Sequence, residues 1–242
     1  MSELVKRTFS SIVLVPGILL LLFFGGAYFD VLCLGLSIVL VFEWCNLWRG
    51  YAIRNGMKFQ EVLFVIAGLI YIGLAMHKFW TLKDVQHKQL MTFLIVWTTD
   101  VGAYIFGKKF GKTSFSPQIS PKKTWEGFWG GVCVCVVIGS GGMYAQLAGL
   151  LPYTDASSFL YNFFSGITLF STLVFSIRFM FYSIFAHLGD LLESWVKRYV
   201  GVKDSSQLIP GHGGFLDRFD SFLAVCLAYY VKDILHCWGI FF

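Results

Sequence analysis

The sequence has little charge. Only 14% of its 242 residues are Asp, Glu, Lys or Arg, and 57% are hydrophobic, whereas soluble domains contain roughly 25% charged residues. This composition leaves too little polar surface to cover a water-soluble fold. We therefore expect an integral membrane protein. The net charge of +5 says little about nucleic acid in such a protein, and no nucleic-acid partner is expected.

Cysteine motifs and repeats are also missing, and no cleavable leader is expected. The six cysteines include no Cys-x-x-Cys pair and lie in or beside apolar stretches, which is typical of buried free thiols rather than of zinc sites or disulfides. No internal repeat or inverted symmetry is visible, which disfavours a repeat-built transporter. No small-residue cleavage site follows the first apolar stretch, so it is expected to be a retained span.

Long apolar runs, in contrast, are abundant. A membrane-spanning helix needs about 20 apolar residues, and the candidate stretches are 10–26, 28–48, 61–77, 89–107, 127–150, 160–185 and 219–241. The sixth continues without a break signal into residues 186–200. Either one long helix projects from the bilayer, or an eighth, broken element is present. The predicted fold is an all-α polytopic membrane protein with about seven to eight transmembrane helices, forming a single domain over residues 1–242.

The Lys and Arg residues predict the orientation. If the N-terminus is cytoplasmic, most of the 19 basic residues lie on the cytoplasmic side, as the positive-inside rule requires. The same orientation places two polar regions, 108–126 and 197–218, on the cytoplasmic face. We therefore expect active-site loops on that side.

The first polar region, residues 99–126, begins with Asp100 inside an apolar helix. A structural ion pair and a ligand or metal contact both remain open for it, since an intramembrane carboxylate needs a partner. The glycine and lysine pattern from Gly107 to Lys112 resembles a Walker phosphate loop. It has three residues between Gly107 and Gly111 instead of four, which excludes a P-loop nucleotidase.

Ser120 and Pro121 are typical of a helix start, with serine as the cap and proline in the first turn. Lys122, Lys123 and Thr124 would then lie in that turn, where lysines oppose the helix dipole. An anion bound to the free amides would reverse this penalty. We predict a triphosphate-binding turn, with an ordinary solvated helix start as the alternative.

The second polar region contains two stripes at helical spacing. The stripes are His187, Asp190, Ser194 and Lys197 on one helix, and Asp217, Asp220 and Ser221 on another. Carboxylates on neighbouring helices can bracket a divalent cation, and Mg²⁺ is usually held by one or two carboxylates plus substrate phosphates. Asp190 and Asp217 are the best ligand pair. Separate ion pairs, such as Asp217 with Arg198, are the alternative.

A glycine-rich loop lies between these stripes, at residues 210–214. Glycines allow the backbone to approach a ligand closely. His212 in this loop could bind phosphate, transfer a proton or only hold the loop. Zinc is not expected, because no second His or Cys lies at ligand spacing. For Glu43 in the second apolar stretch, a structural hydrogen bond and a site role are both open.

Residues 194–220 resemble the signature of the CDP-diacylglycerol synthases, also called phosphatidate cytidylyltransferases. The matching positions are Ser194, Lys197, Arg198, Lys203, Asp204, Ser206, Pro210, His212, Gly213, Gly214, Asp217, Arg218 and Asp220. Asp100, Gly102, Ala103, Tyr104, Gly107, Gly111, Lys112, the run Ser120 to Thr124 and Glu126 are similar to the same family. Residues 89–242 are therefore the expected catalytic region, whereas residues 1–88 match only as generic spans.

The resemblance implies an enzyme of phospholipid biosynthesis that converts CTP and phosphatidate to CDP-diacylglycerol and pyrophosphate. It also implies dependence on Mg²⁺ held by Asp190 and Asp217, a second cation such as K⁺, a homodimer, and a place in the bacterial cytoplasmic membrane. The expected catalytic residues are Asp190, Asp217, Lys197, Arg198 and His212. The expected substrate-binding residues are Asp100, Lys122, Lys123, Thr124, Glu126, Ser194, Lys203, Asp204, Gly213, Gly214, Arg218 and Asp220. The rival hypotheses are an anion transporter or channel and a CTP-dependent lipid kinase.

Overall fold

The computed structural model describes residues 3–83, 86–147, 169–209 and 213–237. These residues form helices α1 Glu3–Phe24, α2 Gly26–Asn55, α3 Phe59–Trp80, α4 Gln86–Phe110, α5 Trp125–Leu147, α6 Leu169–Val200 and α7 Leu216–Cys237. A short antiparallel hairpin of β1 Ser114–Ser116 and β2 Ser120–Thr124 lies between α4 and α5 in the chain. The predominantly helical architecture is confirmed.

Three of the described helices are long and apolar enough to cross a membrane: Gly26–Asn55, Phe59–Trp80 and Lys88–Phe110. A shorter apolar helix covers Leu14–Phe24. Large apolar side chains on these helices are exposed, including Leu34 and Ile38 on α2 and Ile66 and Ile70 on α3, as lipid contact requires. The protein is therefore an integral membrane protein. The number of crossings stays a prediction, because candidate span 160–185 lies partly outside the described residues.

The described part of the sixth apolar stretch, residues 169–185, and the polar residues that follow it belong to one helix. Helix α6 runs without interruption from Leu169 to Val200 over 32 residues. Of the two options that the sequence left open, the single long helix is the one observed. The stripe that contains Asp190 and Lys197 thus lies on the continuation of an apolar helix.

The predicted helix start at Ser120 and Pro121 is wrong. Residues Ser120–Thr124 form strand β2, which pairs with Ser114–Ser116, and the helix begins at Trp125. Proline is tolerated in a strand that has a free edge. Thr124 is the actual cap, because its Oγ1 accepts a hydrogen bond from the Gly127 amide at 3.2 Å. Lys122 and Lys123 therefore lie on a strand, so the helix-dipole argument for them does not apply.

Contacts divide the chain into two compact units. Unit 1 comprises Met1–Thr92 and Leu188–Asp233, and unit 2 comprises Phe93–His187 and Ile234–Phe242. In unit 1, the ring of Phe79 lies 5.1 Å from that of Phe29 and 4.8 Å from that of Phe222 between centroids. These contacts join α2, α3 and α7 in one buried aromatic core.

Close helix packing in each unit depends on glycine. In unit 1, a Cβ on Gly68 would lie 2.0 Å from the indole of Trp44. The Trp44 Nε1 donates a hydrogen bond to the Val65 carbonyl at 3.0 Å, so α2 and α3 are held together at this point. In unit 2, a Cβ on Gly102 would lie 2.9 Å from the Gly130 carbonyl oxygen. Helices α4 and α5 therefore pack backbone to backbone.

Candidate active site

Three buried ionisable side chains in unit 1, those of Glu193, Lys197 and Asp217, form one cluster. The Lys197 Nζ lies 2.5 Å from Glu193 Oε2 and 2.6 Å from Asp217 Oδ1. The side chains of Lys197, Glu193 and Asp217 are only 13%, 8% and 7% exposed. Glu193 and Lys197 are one turn apart on α6, so the helix geometry brings these two side chains together. Helix α7 contributes Asp217.

The second oxygen of Asp217 is bound by the chain around the start of α7. Its Oδ2 accepts hydrogen bonds from the Ser205 amide at 2.9 Å, the Ser205 hydroxyl at 2.9 Å and the Gly214 amide at 2.8 Å. Gly213 has a φ of +84°, and a Cβ there would lie 2.8 Å from Asp217 Oδ2. Glycine is thus required at this position for both its conformation and its close approach.

The charges in this cluster are unequal. Burial raises the pKa of Glu193 to about 8. Attraction by Lys197 opposes this rise, and repulsion from Asp217 adds to it. Burial also raises the pKa of Asp217, but hydrogen bonds from Lys197, Glu193 and the Gly214 amide outweigh it and hold that pKa below its usual range. Two carboxyl groups that share one ammonium cannot both ionise easily. Within this cluster the negative charge is therefore favoured on Asp217 over Glu193.

Glu43 on α2 is fully buried and holds the start of α7. Its Oε1 accepts hydrogen bonds from the Ser206 hydroxyl at 2.5 Å and the Phe215 amide at 2.9 Å. Its Oε2 accepts a hydrogen bond from the Leu216 amide at 2.7 Å, and the Ser205 hydroxyl lies 3.4 Å away. The groups that bind this carboxylate belong to the chain before α7 and to the start of α7, more than 160 residues away in the sequence. The sequence alone does not identify them.

The remaining predicted residues of unit 1 belong to α6, α7 and the chain between them. Arg198, Lys203, Asp204 and Arg218 are exposed, and Asp190, Ser194, Gly213 and Asp220 are half-buried. Arg198 donates a hydrogen bond to the Val202 carbonyl at 3.3 Å. Gly214 is buried. His212, together with Pro210 and Gly211, lies outside the described residues.

Sequence reasoning missed Glu193 and Ser205 as members of the site. The spacing of four residues between Glu193 and Lys197 is typical of a helical ion pair, and this signal was available. Ser205 gave no comparable signal, because its role depends on where Asp217 lies in space.

A metal ion at Asp217 would compete with donors that this carboxylate already has, three on Oδ2 and the Lys197 ammonium on Oδ1. A carboxylate offers about four lone-pair sites, and Asp217 accepts hydrogen bonds from Lys197, from Gly214 and twice from Ser205. The cation that faces it is the Lys197 ammonium. Within the part of the chain that the structure describes, no three His, Cys, Asp or Glu residues are grouped to hold a metal.

The predicted residues of unit 2 lie on α4 and around the hairpin. Asp100 is exposed on α4. Both carboxylate oxygens of Glu126 lie 3.3 Å from the Thr113 amide, which donates to them. Hydrogen bonds from its own amide and from those of Lys112 and Thr113 lower the pKa of Glu126. The Glu126 carboxylate thus ties the hairpin to the first turn of α5. Lys122 is exposed and Lys123 half-buried on the same hairpin.

An apolar cavity of about 260 Å³ opens within unit 1 beside the charged cluster. Its lining comes from α2, α3, α6 and α7 and includes Trp44, Phe64, Ala67 and Leu192. Glu193 and Asp220 are the acidic residues in this lining. A lining this apolar can take part of a hydrocarbon chain.

Comparison with known proteins gives concordant matches. Residues 50–235 match the model of the cytidylyltransferase family. A Bacillus subtilis (strain 168) protein named phosphatidate cytidylyltransferase is 40% identical over 177 residues, covering 72% of this chain and 58% of that protein. Proteins of the same name from Staphylococcus aureus (strain COL) and Staphylococcus haemolyticus (strain JCSC1435) are 42% and 40% identical over 173 residues, covering 71% of this chain and 59% of each relative. The chain thus spans about three fifths of the length of these relatives.

Proposed function

The chain belongs to the cytidylyltransferase family, and from this premise we propose that it converts CTP and phosphatidate to CDP-diacylglycerol and pyrophosphate. The observation that carries the proposal is the buried Glu193–Lys197–Asp217 cluster. It lies within the family match, at the start of α7, beside an apolar cavity in a membrane protein. The name shared by the relatives supports the same substrates.

In this reaction a phosphate oxygen of phosphatidate attacks the α-phosphorus of CTP, and the bond to the β-phosphate breaks to release pyrophosphate. Phosphatidate is already an anion, so no strong base is needed to activate it. Catalysis of this kind depends mainly on positioning and on neutralising charge. We assign the central positive charge to Lys197, which Asp217 holds at 2.6 Å. Arg198 and Lys203 are exposed and are proposed to add positive charge at the phosphates.

The other expected residues complete the proposal. His212 and Asp190 are proposed to act in catalysis. Ser194, Asp204, Gly213, Gly214, Arg218 and Asp220 are proposed to bind substrate, as are Asp100, Lys122, Lys123, Thr124 and Glu126 of unit 2. The hairpin supports this role with two lysines on one strand, adjacent to the capped start of α5.

Mg²⁺ on Asp190 and Asp217, with K⁺ as a second cation, remains a proposal. A metal would supply charge stabilisation at the phosphates. To bind Asp217 it would have to replace Lys197 or another donor on that carboxylate. The roles proposed for Lys197 and for the other residues do not depend on the metal.

We also propose that the enzyme lies in the bacterial cytoplasmic membrane with its active site facing the cytoplasm, and that it works as a homodimer. The bacterial relatives support the location. The one-sided distribution of Lys and Arg supports the orientation.

Analysis of the products tests the proposed reaction against its rivals. The full chain in phosphatidate-containing vesicles is given CTP labelled at either the α- or the γ-phosphorus. Transfer of the α-label to lipid, with release of pyrophosphate, is expected. Transfer of the γ-label to lipid would indicate a lipid kinase instead, and no lipid labelling would favour the transporter hypothesis. Chelation with EDTA in parallel tests the dependence on a divalent metal.

The cavity beside the cluster is proposed to accept part of an acyl chain. Ala67→Phe would fill part of it and is expected to raise KM for long-chain phosphatidate roughly fourfold for each methylene of apolar burial that is lost. KM for CTP should stay unchanged. Steady-state kinetics with long- and short-chain phosphatidate measure both effects.

Ile70→Phe provides the matched control for this test. Ile70 is on the same helix and is 56% exposed, and it does not line the cavity. An equal rise in KM for the two variants would contradict a role of the cavity in lipid binding.

A further inference from the structure

We infer that Glu43 is a positioning residue for cytidylyl transfer, fixing the start of α7 and thereby the geometry of Asp217 and Lys197. The inference rests on the proposed function. Glu43 precedes the family match, which covers residues 50–235, so neither the family model nor the motifs assign it a role. It is 0% exposed.

Glu43 is a buried carboxyl group whose two oxygens are both hydrogen-bonded. Burying a charge is costly unless its oxygens are well bonded. Both oxygens of Glu43 are bonded by hydroxyl and amide donors, with Ser206 at 2.5 Å, Phe215 at 2.9 Å and Leu216 at 2.7 Å. The first amides of a helix have no partner within the helix and carry its positive end. Glu43 therefore acts as a cap for α7 that is supplied from α2.

Three consecutive amides link Glu43 to the cluster. The Gly214 amide donates to Asp217 at 2.8 Å, whereas the next two amides, Phe215 and Leu216, donate to Glu43. The Ser205 hydroxyl lies between the two carboxylates, 2.9 Å from Asp217 Oδ2 and 3.4 Å from Glu43 Oε2. Since Asp217 follows Leu216 directly, a shift of these amides shifts Asp217 and the Lys197 ammonium that it binds.

The chain offers a matched control in Glu61. This carboxylate is also buried, at 6% exposure, and it also accepts hydrogen bonds from a backbone amide and hydroxyls. Its partners are the Lys58 amide at 2.9 Å and the hydroxyls of Tyr199 at 3.3 Å and Tyr51 at 3.5 Å. None of these partners belongs to the start of α7. A purely structural role predicts similar behaviour for the two glutamates.

The test compares Glu43→Gln with Glu61→Gln in the full chain, reconstituted in vesicles with phosphatidate and CTP. Glutamine has the shape of glutamate, but its NH₂ group is a donor and would face the donors that now bind one carboxylate oxygen. The first turn of α7 therefore loses hydrogen bonds to α2. We expect kcat of Glu43→Gln to fall roughly ten- to a hundredfold, as small misplacements of catalytic groups do. KM for both substrates should stay within about twofold. Glu61→Gln should keep kcat within about twofold, even if both variants lose similar thermal stability.

Two further measurements separate positioning from folding. Amide hydrogen exchange in the peptide covering residues 205–217 should rise in Glu43→Gln and not in Glu61→Gln. Glu43→Asp keeps the carboxyl group on a shorter side chain and should recover part of the lost kcat. If Glu43→Gln cannot be purified, Glu43→Asp decides by the same comparison of kcat and KM.

The outcomes distinguish the inference from the proposed function. If the unmodified chain forms no CDP-lipid, the proposed function fails. If the unmodified chain is active and Glu43→Gln keeps its kcat, the inference fails alone. Equal losses of kcat in Glu43→Gln and Glu61→Gln would also overturn it, because any buried glutamate would then matter equally.

Discussion

Asp217→Asn is expected to reduce kcat by at least roughly a hundredfold, while the protein still inserts into membranes and purifies normally. Asparagine has the same shape, but its amide nitrogen would face Lys197 Nζ or the donors of Ser205 and Gly214, which all point at the carboxylate. The negative charge that fixes the Lys197 ammonium is lost at the same time. Steady-state turnover of CTP in phosphatidate vesicles measures the effect.

Asp233→Asn is the control for this variant. Asp233 is on the same helix and is also paired with lysines, Lys78 at 2.6 Å and Lys232 at 2.8 Å, but its side chain is 44% exposed. The same change of charge there should leave kcat within about twofold. Retention of half the activity by Asp217→Asn at saturating Mg²⁺ would remove Asp217 from the catalytic residues.

The helices could be predicted from the sequence because their signal is local. An apolar run of bilayer length must satisfy its backbone within the segment, and the stretch 28–48 identifies the core of helix Gly26–Asn55. The end of this helix could not be predicted, because the polar residues after 48 continue the helical backbone hydrogen bonds to Asn55. Helix α6 was ambiguous for the same reason, since nothing in residues 186–200 marks an end or a continuation.

The hairpin shows where local rules fail. Ser120 and Pro121 satisfy the local preferences of a helix start, but pairing with Ser114–Ser116 determines the structure. That pairing joins residues from two segments, and the rule for helix caps considers only one. Thr124, four residues later, is the cap that the fold uses.

The spacing of polar residues in the sequence does not predict which side chains of the candidate site pair with each other. Spacing placed Asp190 and Lys197 on one face and Asp217 at the start of the next helix. Spacing alone cannot tell whether a carboxylate faces a metal or an ammonium, because both are cations. In the structure Asp217 faces Lys197 at 2.6 Å. For Glu43 the sequence shows only a lone carboxylate in an apolar stretch, since its partners lie far away in the chain.

Lys197→Met is expected to lower both stability and activity. It leaves Asp217 buried without its cation beside a second carboxyl group, Glu193. Breaking a buried ion pair from one side costs about 3–5 kcal/mol of unfolding free energy, and kcat should fall at least roughly a hundredfold, because the central positive charge is lost. Thermal unfolding in detergent and CTP turnover in vesicles measure the two effects.

Lys78→Met removes a lysine from a pair with the same 2.6 Å distance, Lys78 with Asp233. Because the Asp233 side chain is 44% exposed, solvent can take over from the lost partner, and the cost should stay within about 1 kcal/mol. Residue type and pair distance are the same in the two variants; what differs is the burial of the carboxylate and the second lysine, Lys232, that Asp233 keeps at 2.8 Å. Equal loss of stability in both, or near-normal turnover in Lys197→Met, would show that the buried ammonium is not the centre of the site.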